Sequence, residues 1–214
     1  MPGRGRLIAL EGIDGCGKST QARALSAALG AQLTFEPGAT PVGARLRQLL
    51  LAPDAPAVSA RAEALLMAAD RAEHVDQVVA PALAAGSWVV SDRYAASTVA
   101  YQGYGRGLDP GELARLVAWA SAGVSADLSV LVDVEVEVAA ARLAAVTGAQ
   151  GAPDRLEVLG PEFAARVRRG FLAQAEAEPE RWVVVDGTEE VAALTARLVA
   201  VVRERLGDPA AAGR

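Results

Sequence analysis

The chain has 214 residues, 52% hydrophobic and 22% charged, with net charge −5 and a single cysteine. That length supports one domain with a sizeable buried core, and the acidic balance with scattered arginines excludes a nucleic-acid-binding surface. No stretch approaches the roughly 20 apolar residues of a membrane span, the N-terminal apolar run is too short for a signal peptide, and one cysteine builds no disulfide framework, so a reducing cytoplasm is expected.

Periodicity and turn signals predict strands and helices in alternation. A buried strand at 7–10 is followed by an amphipathic helix at 18–29 that Gly30 stops, and then by a strand at 32–35 ended by Pro37-Gly38. Helices are expected at 42–51 and from 59 to 85, a third strand at 88–91, and helices at 95–101 and 110–122. A fourth strand at 128–132 leads into a helix at about 135–145. Residues 146–154 carry Gly and Pro without apolar period and are expected to form a flexible loop. A helix at 161–178, a fifth strand at 182–185, a last helix at 190–206 and a frayed tail at 207–214 complete the reading. Continuous apolar strands between helices indicate an α/β fold: one domain over 1–206, its five-stranded parallel sheet covered by helices on both faces.

Gly12-Ile13-Asp14-Gly15-Cys16-Gly17-Lys18-Ser19 fits G-x-x-x-x-G-K-[ST] between the first strand and the first helix, with Thr20 following. This is the phosphate-binding loop of P-loop NTPases. Its glycines bring backbone N–H groups to phosphate oxygens and the helix aims its positive end at the same anion. Lys18 would reach the β- and γ-phosphates of ATP and the Ser19 hydroxyl would ligate Mg²⁺. Lys18 is also the only lysine in the chain, where every other basic residue save one histidine is arginine; its survival marks a place that needs a compact ammonium. Cys16 is either a small residue tolerated in the loop or, if the helix N-terminus lowers its pKa, a reactive thiol.

In an open parallel sheet ligands gather at the C-terminal strand ends. After the second strand stands Glu36-Pro37-Gly38; after the third, Asp92-Arg93-Tyr94 and then Ala100-Tyr101-Gln102-Gly103-Tyr104-Gly105-Arg106. Asp92 ends an apolar strand, where a Mg²⁺-organising carboxylate belongs; Asp133 could instead cap a helix, and Asp186-Gly187-Thr188 reads as a turn.

These segments, with the Asp-bearing P-loop, the helical run Ala68 to His74 and Asp154-Arg155-Leu156-Glu157, resemble thymidylate (dTMP) kinases of bacteria over about 7–188. The resemblance implies transfer of the ATP γ-phosphoryl group to dTMP in dTTP synthesis, Mg²⁺ with the ATP, a homodimer, and a short lid at about 146–157. Arg47, Arg71 and Arg93 would hold the dTMP phosphate, as planar, permanently charged donors can. Thr98 and Gln102 would hydrogen-bond the thymine edge, Tyr101 would pack on the deoxyribose, and Asp14 would contact the 3′-hydroxyl or a metal-bound water. Glu36 belongs to the acceptor side, Arg142 to the ATP side, and His74 anchors a helix face.

Three departures from the family pattern stand out. Phe35 replaces a usual arginine. Met67 replaces the aromatic that stacks on thymine, which leaves a modified deoxyuridylate or another pyrimidine monophosphate as the alternative acceptor. Residues 144–153 contain no basic residue, so Arg155, with Arg142, is expected to stabilise the transferring phosphoryl group. A GTPase is excluded because its Asn-Lys-x-Asp signature needs an asparagine that the chain lacks. Ala-Tyr-Gln-Gly argues against an adenylate kinase, and three acceptor arginines argue against a module that only switches partners on ATP.

Overall fold

A computed structural model describes residues 4–150 and 155–209. Strand β1 (Leu7–Glu11) leads through the glycine-rich loop into helix α1 (Lys18–Leu29), and β2 (Gln32–Phe35) follows. Helix α2 (Pro41–Leu51) starts where Thr40 Oγ1 accepts from Gly43 N at 2.9 Å, and α3 (Ala60–His74) starts at the Ser59 cap. The long helix expected from 59 to 85 is continuous but not uniform. After α3 it widens into a π turn (Val75–Val79), where Ala80 N donates to Val75 O, and continues as α4 (Ala80–Ala84).

Strand β3 (Val89–Asp92) leads into α5 (Ala95–Thr98), and a second π segment (Val99–Gly105) replaces the end of the helix expected at 95–101. Helix α6 (Pro110–Ala120), β4 (Leu128–Asp133), α7 (Val136–Gln150), a single 3₁₀ turn (Glu157–Leu159), α8 (Gly160–Ala177), β5 (Trp182–Asp186) and α9 (Val191–Leu206) complete the order. The loop expected from residue 146 is corrected in part, because α7 carries helix through Gln150. Residues 151–154 of the expected lid and 210–214 of the expected tail lie outside the described residues.

The sheet is wholly parallel in the order β2-β3-β1-β4-β5. All five residues of β1 are buried, as a strand covered on both faces requires. Chain connections leave β1 toward β2 but leave β3 across to β4, so the crevice at the C-terminal ends of β1 and β3 is the topological switch point. The loop 12–18 and the Asp92-Arg93-Tyr94 turn both open there.

Two packing features fix that crevice. First, α8 lies against the π segment so closely that a Cβ on Gly170 would stand 2.8 Å from the Tyr104 ring and one on Gly105 would stand 2.7 Å from Phe163. Second, β1 ends on Glu11, which is 0% exposed and accepts from Tyr94 N at 2.9 Å and from the Ser97 hydroxyl at 2.6 Å. One buried carboxylate thus ties β1 to the turn after β3.

Gly170→Ala is expected to lower the unfolding free energy by about 1–3 kcal/mol, the usual range for overpacking, since the ring's own stem blocks the added methyl; denaturant titration checks it. Burial pushes the Glu11 carboxyl up from 4.5 to about 7, against the Ser97 hydrogen bond and the Arg93 charge. Between those values the folded chain holds a proton that the unfolded chain has lost. This part of the stability is therefore full at low pH and disappears as pH rises through the folded pKa. Glu11→Gln is expected to flatten the fall in unfolding free energy between about pH 5 and pH 7; an unaltered slope would reject the assignment.

Candidate active site

The glycine-rich loop is shaped by close approach to its surroundings. Gly12 has φ 143°, and a Cβ there would meet Val132 O at 2.6 Å; at Gly15 (φ 83°) it would meet Ala139 O at 2.4 Å. Only glycine lets the loop wrap this tightly between β4 and α7. Ile13 and Cys16 point inward, at 4% and 0% exposure, while Thr20 is exposed and donates its N–H to Gly17 O. Of the two readings of Cys16 the small buried residue is the one favoured: burial pushes its pKa up despite the Lys18 charge, because removing water from a thiolate costs more than the nearby cation returns.

Asp14 is the node of the site. Its Oδ1 accepts from Lys18 Nζ at 3.1 Å and from Arg93 Nη2, and its Oδ2 accepts from the Tyr101 hydroxyl at 2.7 Å. Burial alone would raise its pKa, but the Arg93 and Lys18 charges outweigh that and hold the carboxyl well below the usual range. Arg93 adopts φ 72°, a left-handed conformation that costs a non-glycine residue of order 1 kcal/mol or more. Its guanidinium is fully specified: it donates to Gly12 O at 3.0 Å, Ser97 Oγ at 3.1 Å and Tyr101 Oη at 2.9 Å, and it lies 4.8 Å from the centre of the Tyr101 ring.

Two clefts meet at this node. One is lined by all nine residues expected at the acceptor: Asp14, Glu36, Arg47, Met67, Arg71, Arg93, Thr98, Tyr101 and Gln102. The other is lined by Lys18, Ser19 and Asp92 together with Phe35, and it shares Asp14, Glu36, Arg47 and Arg93 with the first. The shared wall carries two guanidiniums and lies between the phosphate loop and the acceptor cleft.

Within the acceptor cleft, Arg71 is 3% exposed and donates Nε and Nη2 to Glu36 Oε2 at 3.0 and 2.8 Å, Nη1 to Thr98 Oγ1 at 2.9 Å, and Nη2 to Tyr94 O at 3.0 Å. His74 bridges Glu36 Oε1 at 2.8 Å and Thr34 Oγ1 at 2.6 Å, so it anchors a helix face, as expected. Arg47 is exposed and donates to Pro37 O at 2.9 Å. Met67 lines the cleft from α3.

The lid-side cations separate. Arg142 stands at the phosphate loop, with Nη1 donating to Cys16 O at 3.2 Å and Gly187 O at 3.0 Å. Among the described residues Arg155 makes no hydrogen bond to that loop. Its Nε donates to Leu50 O at 2.7 Å and its Nη2 to Glu63 at 2.7 Å, on the acceptor side. A buried carboxylate holds it there, whereas its expected place was beside the transferring group. Asp133 is paired with Arg168 and Asp186 closes a turn with Thr188, leaving Asp92 as the strand-end carboxylate of the phosphate cleft. Its Oδ1 is buried without a hydrogen-bond partner among the described residues. An orphaned acceptor in the cleft that Ser19 also lines fits a cation brought in with a nucleotide.

Sequence reasoning passed over Glu11, Glu63, Asp70, Tyr94 and Ser97. Asp70 Oδ1 accepts from Gly38 N at 2.9 Å, and burial with the Glu36 charge pushes its pKa up to about 6. A signal was present: Glu63, Asp70, Arg71 and His74 recur at helical spacing, a polar stripe on an otherwise Ala- and Leu-rich helix.

Comparison with known proteins shows the family. The family model described as thymidylate kinase matches residues 10–198. Thymidylate kinase from Methylobacillus flagellatus is 42% identical over 94% of this chain and 98% of the relative. The enzyme from Cutibacterium acnes is 48% identical over 85% and 88%. The crystal structure of thymidylate kinase from Ehrlichia chaffeensis superposes with TM-score 0.73 at 31% identity, covering 94% of this chain and 99% of that one. With a family model spanning most of its length and relatives this similar end to end, the chain belongs to the thymidylate kinase family, a family of nucleoside monophosphate kinases.

Proposed function

We propose that the chain transfers the γ-phosphoryl group of Mg²⁺-ATP to the 5′-phosphate of dTMP, giving dTDP and ADP. The observation that carries this reading is the shared wall of the two clefts, where Asp14, Glu36, Arg47 and Arg93 face both sides. Phosphoryl transfer asks little covalent chemistry of the protein and much positioning and charge neutralisation. A wall that presents two guanidiniums to both phosphates supplies both.

In this reading the loop amides and Lys18 hold the donor phosphates, while Ser19 and Asp92 hold the Mg²⁺, which neutralises charge on the phosphate oxygens. Arg93, locked by four acceptors, presents its guanidinium to the junction. Arg47 covers the same junction from α2. Thr98 and Gln102 meet the base, Met67 covers its face and Tyr101 closes against the sugar. Arg71 is held to Glu36 by two hydrogen bonds, so its charge is partly balanced before substrate enters.

The same reading includes a homodimer in the cytoplasm. Exposed Leu65 on α3 and Trp119 on α6, at 54% and 81%, support an interface between copies, and the buried, unpaired Cys16 suits a reducing compartment.

Incubation with ATP, Mg²⁺ and a panel of monophosphates is expected to give ADP most efficiently with dTMP, ahead of dUMP, dCMP, AMP and GMP; background ADP with dTMP would overturn the proposal. Arg142→Ala is expected to cut kcat by roughly tenfold or more, and Arg155→Ala by less, because only Arg142 stands at the phosphate loop. Steady-state kinetics in which Arg155→Ala shows the larger loss of kcat would return the transition-state role to Arg155.

A further inference from the structure

Glu63 is a buried carboxylate at 0% exposure, one turn before Met67 on α3. Its Oε1 accepts from Gln102 Nε2 at 3.0 Å and Arg106 Nε at 3.1 Å. Its Oε2 accepts from Arg106 Nη2 at 2.8 Å and Arg155 Nη2 at 2.7 Å. Burial alone would raise its pKa. The Arg106 and Gln102 hydrogen bonds and the Arg106 and Arg155 charges outweigh that and hold the carboxyl below its ordinary value. Glu63 is therefore ionised at neutral pH, and an ionised carboxylate can only accept hydrogen bonds.

This constrains Gln102. An amide fits a given space almost equally well either way round, so its orientation is decided by its hydrogen-bond partners. The end that meets Glu63 must be the NH₂ group. That orientation leaves the Gln102 carbonyl oxygen, an acceptor, uncommitted to Glu63 and available to the cleft that the residue lines. Thymine and uracil carry a hydrogen on N3 and can donate to such an oxygen; cytosine has a bare acceptor at N3 and would face it with lone pair against lone pair.

We propose that Glu63 is a positioning residue that determines base specificity, locking the Gln102 amide so that the cleft accepts pyrimidines with a protonated N3 and rejects those without. The inference rests on the dTMP kinase reading above. Glu63 itself does not line the acceptor cleft and acts through Gln102. Arg106 and Arg155 supply the charge that keeps the carboxylate ionised. The device also offsets the missing aromatic: with Met67 on the face of the base, discrimination falls to the edge, where one misplaced acceptor leaves a buried polar group unpaired.

Glu63→Gln keeps the shape but can both donate and accept, which frees the Gln102 amide to turn. In the full-length protein the kcat/KM ratio of dTMP to dCMP is expected to fall by about tenfold, the worth of roughly one hydrogen bond. The ratio of dTMP to dUMP, both with N3–H, should change by less than about twofold, since no preference between them passes through this bond. An unchanged dTMP:dCMP ratio, or an equal fall in both ratios, overturns the proposal. Absence of wild-type turnover on dTMP defeats the kinase reading itself, which separates the two failures. If Glu63→Gln does not fold, the wild-type protein labelled at glutamine nitrogen decides the question: side-chain amide protons of Gln102 protected from solvent exchange support the lock, and exchange as fast as an exposed amide overturns it.

Discussion

Asp14 and Arg93 leave the C-terminal ends of two neighbouring parallel strands and meet across the crevice between them. The carboxylate takes Lys18 from its own loop, Arg93 from the other and the Tyr101 hydroxyl from the π segment. The guanidinium takes Gly12 O, Ser97 Oγ and Tyr101 Oη in return. Neither charge would be tolerable half-buried on its own, because desolvation costs several kcal/mol per ion when unpaired. Paired, they make the positions of three loops interdependent. The left-handed backbone of Arg93 is one expense of this arrangement, and Glu11 secures it by gripping the next backbone N–H and the Ser97 hydroxyl.

The acceptor side repeats the logic on α3. Glu36 is gripped by Arg71 and His74, Asp70 holds Gly38 N, and Glu63 gathers Gln102, Arg106 and Arg155. Buried ion pairs of this kind add little net stability, since attraction mostly replaces lost hydration. What they fix is direction: Arg71, Arg93 and Gln102, which face the cleft, each have donors already committed to buried partners. Preorganised donors lose little entropy when charge arrives, which suits a reaction that depends on positioning. The two π segments belong to the same economy. The one over Val99–Gly105 carries Tyr101 and Gln102 into the cleft while its Gly105 lets α8 pack against it.

Much of the site could be read from the chain because its parts are contiguous. The loop from Gly12 to Ser19, Glu36-Pro37-Gly38 and Asp92-Arg93-Tyr94 each sit directly after an apolar strand, and strand ends are where a parallel sheet gathers ligands. Hidden were the residues that act at long sequence separation. Glu63 meets Gln102 and Arg155 from 39 and 92 residues away, and Glu11 meets Ser97 from 86. Arg155 shows the same limit from the other side: its place in the sequence beside the lid suggested the donor phosphates, whereas a buried carboxylate draws it to the acceptor. Cys16 shows it again, since proximity to a helix N-terminus is legible in sequence but burial behind the loop is not.

The sequence by itself determined the strand–helix alternation, the parallel sheet and the phosphate loop with its single lysine, and its family resemblance pointed to nine of the residues that line the acceptor cleft. These depend on local periodicity, on backbone conformations that only glycine adopts and on contiguous motifs. Tertiary structure alone decided which charges pair. Coulombic and hydrogen-bond energies in a desolvated interior depend on separations of a few ångströms, and those separations are set by how helices pack across the sheet, where residues far apart along the chain become neighbours.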